Sequence, residues 1–131
     1  GTEQYVKGLG ELLPELKSRI AAPTLEKMTF SCCGDPAFVE KLRSLGKKQV
    51  IVVGMECHVC VLQTVLGLLE AGRKVHVVRD AIGSRRPESN ETALNRMERH
   101  GAEIVTTEMV VFEWLGSCEH PRFREAAALI R

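Results

Sequence analysis

No stretch of this sequence is long and apolar enough to span a bilayer. Its longest apolar run, Val50 to Met55, falls far short of the ~20 residues a transmembrane helix needs, and no charged-then-apolar leader opens the chain. Net charge is equally scarce: 18 Lys+Arg against 17 Asp+Glu leave a formal +1, so no net field attracts nucleic acid or an anionic membrane. A paired set of cysteines is missing too. Five is an odd number and Cys32 and Cys33 are adjacent, which suits free thiols in a reducing compartment better than a disulfide framework. Repeats, linkers, low-complexity segments and an initiator methionine are also absent. What remains is the composition of one globular domain: 131 residues, 44% hydrophobic and 27% charged. At this length a fold buries roughly two thirds of the surface of its unfolded chain, enough for a real core. The expectation is a soluble, cytoplasmic protein with no nucleic-acid or membrane partner.

What is present is an alternation of short strands and helices. Val50 to Val53, closed by Gly54, is a β-branched run of the kind buried on both faces of a parallel sheet, and reads as a central strand. Cys57 to Ala71 follows as a largely buried helix, terminated by Gly72. Upstream, Asp35-Pro36 supplies an N-cap and a proline at the first helical position, and Phe38, Leu42 and Leu45 mark the inward stripe of a helix that Gly46 ends. Lys74 to Val78 alternates as a strand, Asp80 to Ser89 reads as a polar loop, and a helix runs through Ala93, Leu94 and Met97 to Gly101. Ile104-Val105 is a short strand, followed by helical segments around Met109 to Leu115 and Pro121 to Ile130. Strands alternating with helices of this length predict βαβ units and a mostly parallel sheet. Residues 1–30 read as an irregular loop with at most a short helix, and Lys27 to Phe30 as the start of a strand. So much unstructured chain implies that something is missing on the amino-terminal side.

In open parallel α/β sheets, ligands bind beyond the carboxyl ends of the strands. Gly54-Met55-Glu56-Cys57-His58-Val59-Cys60-Val61 lies there, at the start of a helix whose unpaired N–H groups and positive dipole end can activate a cysteine and receive an oxyanion. Three readings of this segment stand side by side. Cys57 and Cys60 can be small core hydrophobes, a Cys57-x-x-Cys60 dithiol redox centre, or, with His58, part of a zinc site that lacks a second ligand cluster.

The same segment, Gly-x-x-x-x-x-Cys-Val after a β-branched strand, resembles the signature of the isochorismatase-like cysteine hydrolases. Thr2-Glu3-Gln4-Tyr5 with Gly8-Leu9-Gly10, and Lys27 before Thr29-Phe30-Ser31, look like the isochorismatase domain-containing protein 2 subgroup of that family. Val75 to Ser84 is similar to the strand and loop that follow the nucleophile helix. The resemblance covers nearly the whole chain, from Thr2 to Arg131.

It implies a three-layer, doubly wound, mostly parallel α/β fold (Rossmann-type) and an Asp-Lys-Cys triad, with the nucleophile on Cys60 and the lysine on Lys27. It also implies a non-proline cis peptide at Met55–Glu56 and oxyanion donors at the Glu56 and Cys60 N–H groups. Tyr5, Cys57 and His58 are candidates for the substrate pocket, and Cys57 equally for a packing role. His76, His100 and His120 are expected to be structural or superficial, Arg85-Arg86 a solvated pair, and Asp80 a loop-fixing residue. No metal and no cofactor are implied; the partner is a small-molecule substrate, with a homo-oligomer compatible with the apolar carboxy-terminal helices. The family's catalytic aspartate, in an Asp-x-Gln setting at the end of a first strand, has no counterpart here: Asp35 and Asp80 lie elsewhere. Residues 1–131 are therefore expected to form an amino-terminally incomplete hydrolase domain lacking its first two strands, with a gap between the strand near Lys27 and Val50 to Val53. The expected chemistry is hydrolysis of a small amide-like substrate through a Cys-centred acyl intermediate. A non-catalytic binding domain and a CxxC redox protein are the alternatives.

Overall fold

The computed structural model describes residues 1–130. The chain opens with strand β1 (Thr2–Gln4), two single-turn helices, α1 (Val6–Leu9) and α2 (Pro14–Lys17), and strand β2 (Leu25–Lys27). β1 and β2 pair in parallel, from Thr2 opposite Leu25 to Gln4 opposite Lys27. This corrects the expectation of an irregular amino-terminal loop: Thr2–Gln4 is a strand, and Lys27 ends a strand rather than beginning one. Three-residue strands are too short to carry a legible alternation. A buried carboxylate holds the segment together instead. Glu3 accepts the Leu12 N–H at 2.8 Å on one oxygen and the Thr24 hydroxyl at 2.7 Å on the other, with Lys17 Nζ 3.6 Å away. These donors hold the Glu3 carboxyl below the usual carboxylate range, the Thr24 hydroxyl contributing most.

After a 3-10 turn at Cys32–Gly34 comes α3 (Pro36–Ser44), which begins as its sequence dictates: Asp35 accepts the Phe38 N–H at 3.0 Å and Pro36 occupies the first turn. The remaining elements are β3 (Gln49–Met55), a π-helical turn at Cys57–Val61, α4 (Leu62–Glu70), β4 (Lys74–Gly83), α5 (Pro87–Arg99), β5 (Glu103–Val105), α6 (Thr107–Leu115) and α7 (Phe123–Leu129). β3, β4 and β5 form a second parallel sheet in that order. The core lies between one face of this sheet and helices α4 and α5. Val75, Val77 and partly buried Val50, Val52 and Ile104 meet Val65, Leu68, Leu94 and Met97 there.

Three expectations need correcting. β3 is an edge strand, not a central one: β4 occupies the middle and the far side of β3 is unpaired among the described residues. Its side chains on the face away from α4 and α5 are open, with Val53 57% exposed. β4 continues through Asp80 to Gly83, because a register shift between Val52 and Gly54 lets Gly54 and Met55 pair with Ile82 and Gly83. Finally, the helix expected from Cys57 begins as a π turn, with Val61 N–H reaching back to the Glu56 carbonyl at 3.2 Å. The sheet face away from α4 and α5 carries an open groove of about 850 Å³, lined among others by Lys48, Ile51, Lys74 and Trp114. It starts at the amino ends of β3 and β4, far along the strands from Cys60.

Candidate active site

Two strand ends and one helical turn converge at the carboxyl end of the sheets. β1 delivers Gln4, β2 delivers Lys27, and the turn after β3 delivers Cys60. Lys27 is a buried cation, 4% exposed. Its ammonium donates to the Thr29 carbonyl at 2.9 Å, to the Phe30 carbonyl at 2.8 Å and to Gln4 Oε1. All three of its protons are thus spent on neutral oxygens, and among the described residues no carboxylate lies within ion-pair distance. Burying an ammonium this way is costly unless an anion completes the site. The Cys60 thiol lies on the same amide oxygen, donating to Gln4 Oε1 at 3.9 Å. Cys60 and Lys27 are therefore linked through one shared atom.

Gln4 is the site residue that sequence reasoning overlooks. It sits inside the Thr2-Glu3-Gln4-Tyr5 motif, but its task depends on the β1–β2 register, which places it beside Lys27. Tyr5, next in the chain, turns out of the strand in the left-handed region at φ 42°, with its N–H on the Lys27 carbonyl at 3.1 Å. Its ring is half exposed and lies over Gly8, where a Cβ would collide with it.

The turn carrying Cys60 is held on both sides. The Met55–Glu56 peptide is cis, and the Glu56 carbonyl accepts the N–H groups of Val59 and Val61, which flank Cys60. The Glu56 carboxylate reaches the other way, 3.4 Å from Arg85 Nε and 3.6 Å from His58 Nδ1. His58 Nδ1 also lies 2.9 Å from the Ser84 hydroxyl. Arg85 is thus exposed but tethered, rather than simply solvated as expected. His58 borders a smaller cleft of about 330 Å³ with Leu62, Thr92 and Arg96.

Cys57 does not line a pocket. It is 0% exposed, packed in the core with its thiol donating to the Asn90 carbonyl at 3.8 Å, and burial pushes that thiol up to about 11. Cys57, His58 and Cys60 take separate partners, and among the described residues no three His, Cys, Asp or Glu side chains converge as metal ligands. Asp80 accepts both the N–H and the hydroxyl of Thr107, at 2.8 and 3.1 Å, which ties β4 to the start of α6. His76 pairs across the sheet with Glu103 at 3.0 Å, and His100 and His120 make local backbone contacts.

An α/β domain with parallel sheets and a cysteine on the turn between a strand and a helix defines a class of protein, and sequence comparison names it. The isochorismatase domain profile matches residues 7–109, and the chain belongs to that family, the isochorismatase-like hydrolases. It is 40% identical over 131 residues to isochorismatase domain-containing protein 2 of Homo sapiens, an alignment covering 99% of this chain and 62% of that protein. Among solved structures, the MAR1 ribonuclease of Caenorhabditis elegans is similar with a TM-score of 0.89 and 44% identity, over 98% of this chain and 67% of that one. The ycaC gene product of Escherichia coli, described as an octameric hydrolase of unknown specificity, is similar with a TM-score of 0.84 and 29% identity, over 98% and 71%. The chain thus spans 62% of the length of its human relative.

Proposed function

We propose that this chain carries the nucleophile and the lysine of a cysteine hydrolase acting on a small amide or related carbon–nitrogen bond. The observation that carries the reading is the joining of the Cys60 thiol and the buried Lys27 ammonium on one amide oxygen. In this reading a carboxylate takes the Cys60 proton and Lys27 stabilises the negative charge that remains. The thiolate attacks the substrate carbonyl, and the oxyanion rests on the Glu56 and Cys60 N–H groups. The carbon–nitrogen bond breaks as the nitrogen takes up the proton, leaving a thioester. Water then adds to that thioester, releasing the acid and returning the proton to sulfur.

The carboxylate is not among residues 1–131 in the setting the family uses. The reading requires such a carboxylate in addition to Cys60 and Lys27. In this reading β1–β2 and β3–β4–β5 are parts of one three-layer, doubly wound sheet. A non-catalytic binding domain is the second reading, favoured by the lack of a carboxylate at Lys27 among the described residues. The test is ammonia release from a panel of small amides, with mass spectrometry for an acyl adduct. Activity and an adduct that both vanish in Cys60→Ala support the hydrolase; activity that survives that change sinks it. RNA belongs in the same panel, because the C. elegans relative is described as a ribonuclease. Light scattering tests self-association, for which the octameric E. coli relative is the precedent.

A further inference from the structure

Gln4 stands between Lys27 and Cys60, and its position is set by contacts of both its backbone and its side chain. Its backbone lies opposite Lys27 in the β1–β2 register. Its side-chain Nε2 donates to the Met28 carbonyl at 2.9 Å, while Oε1 accepts from Lys27 Nζ and from Cys60 Sγ, the latter at 3.9 Å. An ammonium can only donate and a backbone carbonyl can only accept, so the opposite amide orientation would lose both contacts at once. The oxygen therefore faces the thiol by necessity.

An acceptor aimed at a thiol stabilises the S–H form, because a thiolate there would face an oxygen lone pair. The same oxygen occupies the one Lys27 proton not held by the Thr29 and Phe30 carbonyls. We propose that Gln4 is a positioning residue that keeps Cys60 a hydrogen-bonded thiol in the resting site and withholds the Lys27 ammonium from the sulfur. The amide must release both partners before a thiolate and an ammonium can pair directly. This inference rests on the reading of Cys60 as the nucleophile.

The test is the iodoacetamide alkylation rate of each cysteine at pH 7, resolved by peptide mapping. Exposed Cys118 serves as the internal reference. Gln4→Leu removes the acceptor the two groups share and frees one Lys27 proton for the sulfur. Cys60 alkylation should then rise ~3–10-fold against Cys118 as the thiolate gains a cationic neighbour. Gln4→Glu keeps a partner for Lys27 but sets a carboxylate against the thiolate, and the rate should fall by at least ~3-fold. A merely structural role would loosen the site in both variants and move both rates the same way, with buried Cys57 gaining reactivity too. Rates that are unchanged, or that shift in one direction, overturn the proposal. Gln4→Met, of similar length and without an acceptor, repeats the measurement if the leucine variant does not keep the wild-type far-UV spectrum. Lys27→Met separates the two layers of the argument. If it leaves Cys60 alkylation unchanged, the nucleophile reading fails and the Gln4 inference falls with it; if it slows Cys60 while the Gln4 variants do nothing, only the Gln4 inference fails.

Discussion

Lys27 and Cys57 are both buried, and for opposite reasons. Lys27 is held by three acceptors, Gln4 Oε1 and the Thr29 and Phe30 carbonyls, so Lys27→Met should destabilise the protein by ~1–3 kcal/mol through the acceptors it leaves unpaired, measurable by urea unfolding. Cys57 survives burial by staying neutral. Its thiol titrates at about 11 in the folded chain against an ordinary value of 9.0. Between those values the unfolded chain has lost the proton and the folded one holds it, so stability falls as pH rises through that window. Cys57 should also resist alkylation at pH 8 while Cys118 reacts, and its labelling there in the folded protein would contradict the core position. At this scale Cys60 and Lys27 are singled out in the sequence only by the family resemblance, and the structure brings both to Gln4 Oε1. Gln4 itself is not singled out, since nothing local reveals that a three-residue strand will register it against Lys27. The burial of Cys57 is equally hidden: Cys-x-x-Cys at a helix start is the same text whether the first thiol faces the core or a cleft.

Elements with their own punctuation are the ones the sequence announces. Asp35-Pro36 predicts the start of α3, and Asp35 performs the cap; Asp35→Ala should cost ~1 kcal/mol. The inward face of α4 is similarly plain, and Leu68→Ala, at 1% exposure, should cost ~2–5 kcal/mol. Leu129→Ala, at 84% exposure, should stay within about 0.5 kcal/mol. Thermal melts of the pair decide whether the core between the second sheet and α4–α5 is the main source of stability. Features set by partners distant in sequence escape such reading. A Val-Ile-Val-Val run looks central because it is apolar on both faces, yet whether a strand is central depends on what pairs with its two edges. The extension of β4 to Gly83 likewise follows from a bulge in its neighbour, not from any alternation in Asp80 to Gly83.

Among the described residues two parallel sheets meet at the site, where Cys60 reaches Gln4, and a carboxylate braces each. Glu3 holds the loop between β1 and β2, and Asp80 ties the second sheet to α6 through the backbone N–H of Thr107. Both carboxyls are held below their ordinary values. The stability they contribute is present above the unfolded values of 4.5 and 3.8 and is lost as pH falls through the lower folded ones. Unfolding midpoints should therefore drop on acidification through that range, and less steeply in Glu3→Gln and Asp80→Asn. The free side of β3 is a different kind of weakness. For residues 1–131 taken alone, this unpaired strand edge is a template for another chain, and Val53 is more than half exposed beside it. Light scattering should report association that grows with protein concentration and weakens in Val53→Lys, whose charge sits on the open face without entering the packed one. Because that side chain already faces solvent, the substitution should leave the melting temperature within the small range of surface changes. Association that Val53→Lys leaves unchanged would locate the contact elsewhere, with exposed Trp114 on α6 the next residue to substitute.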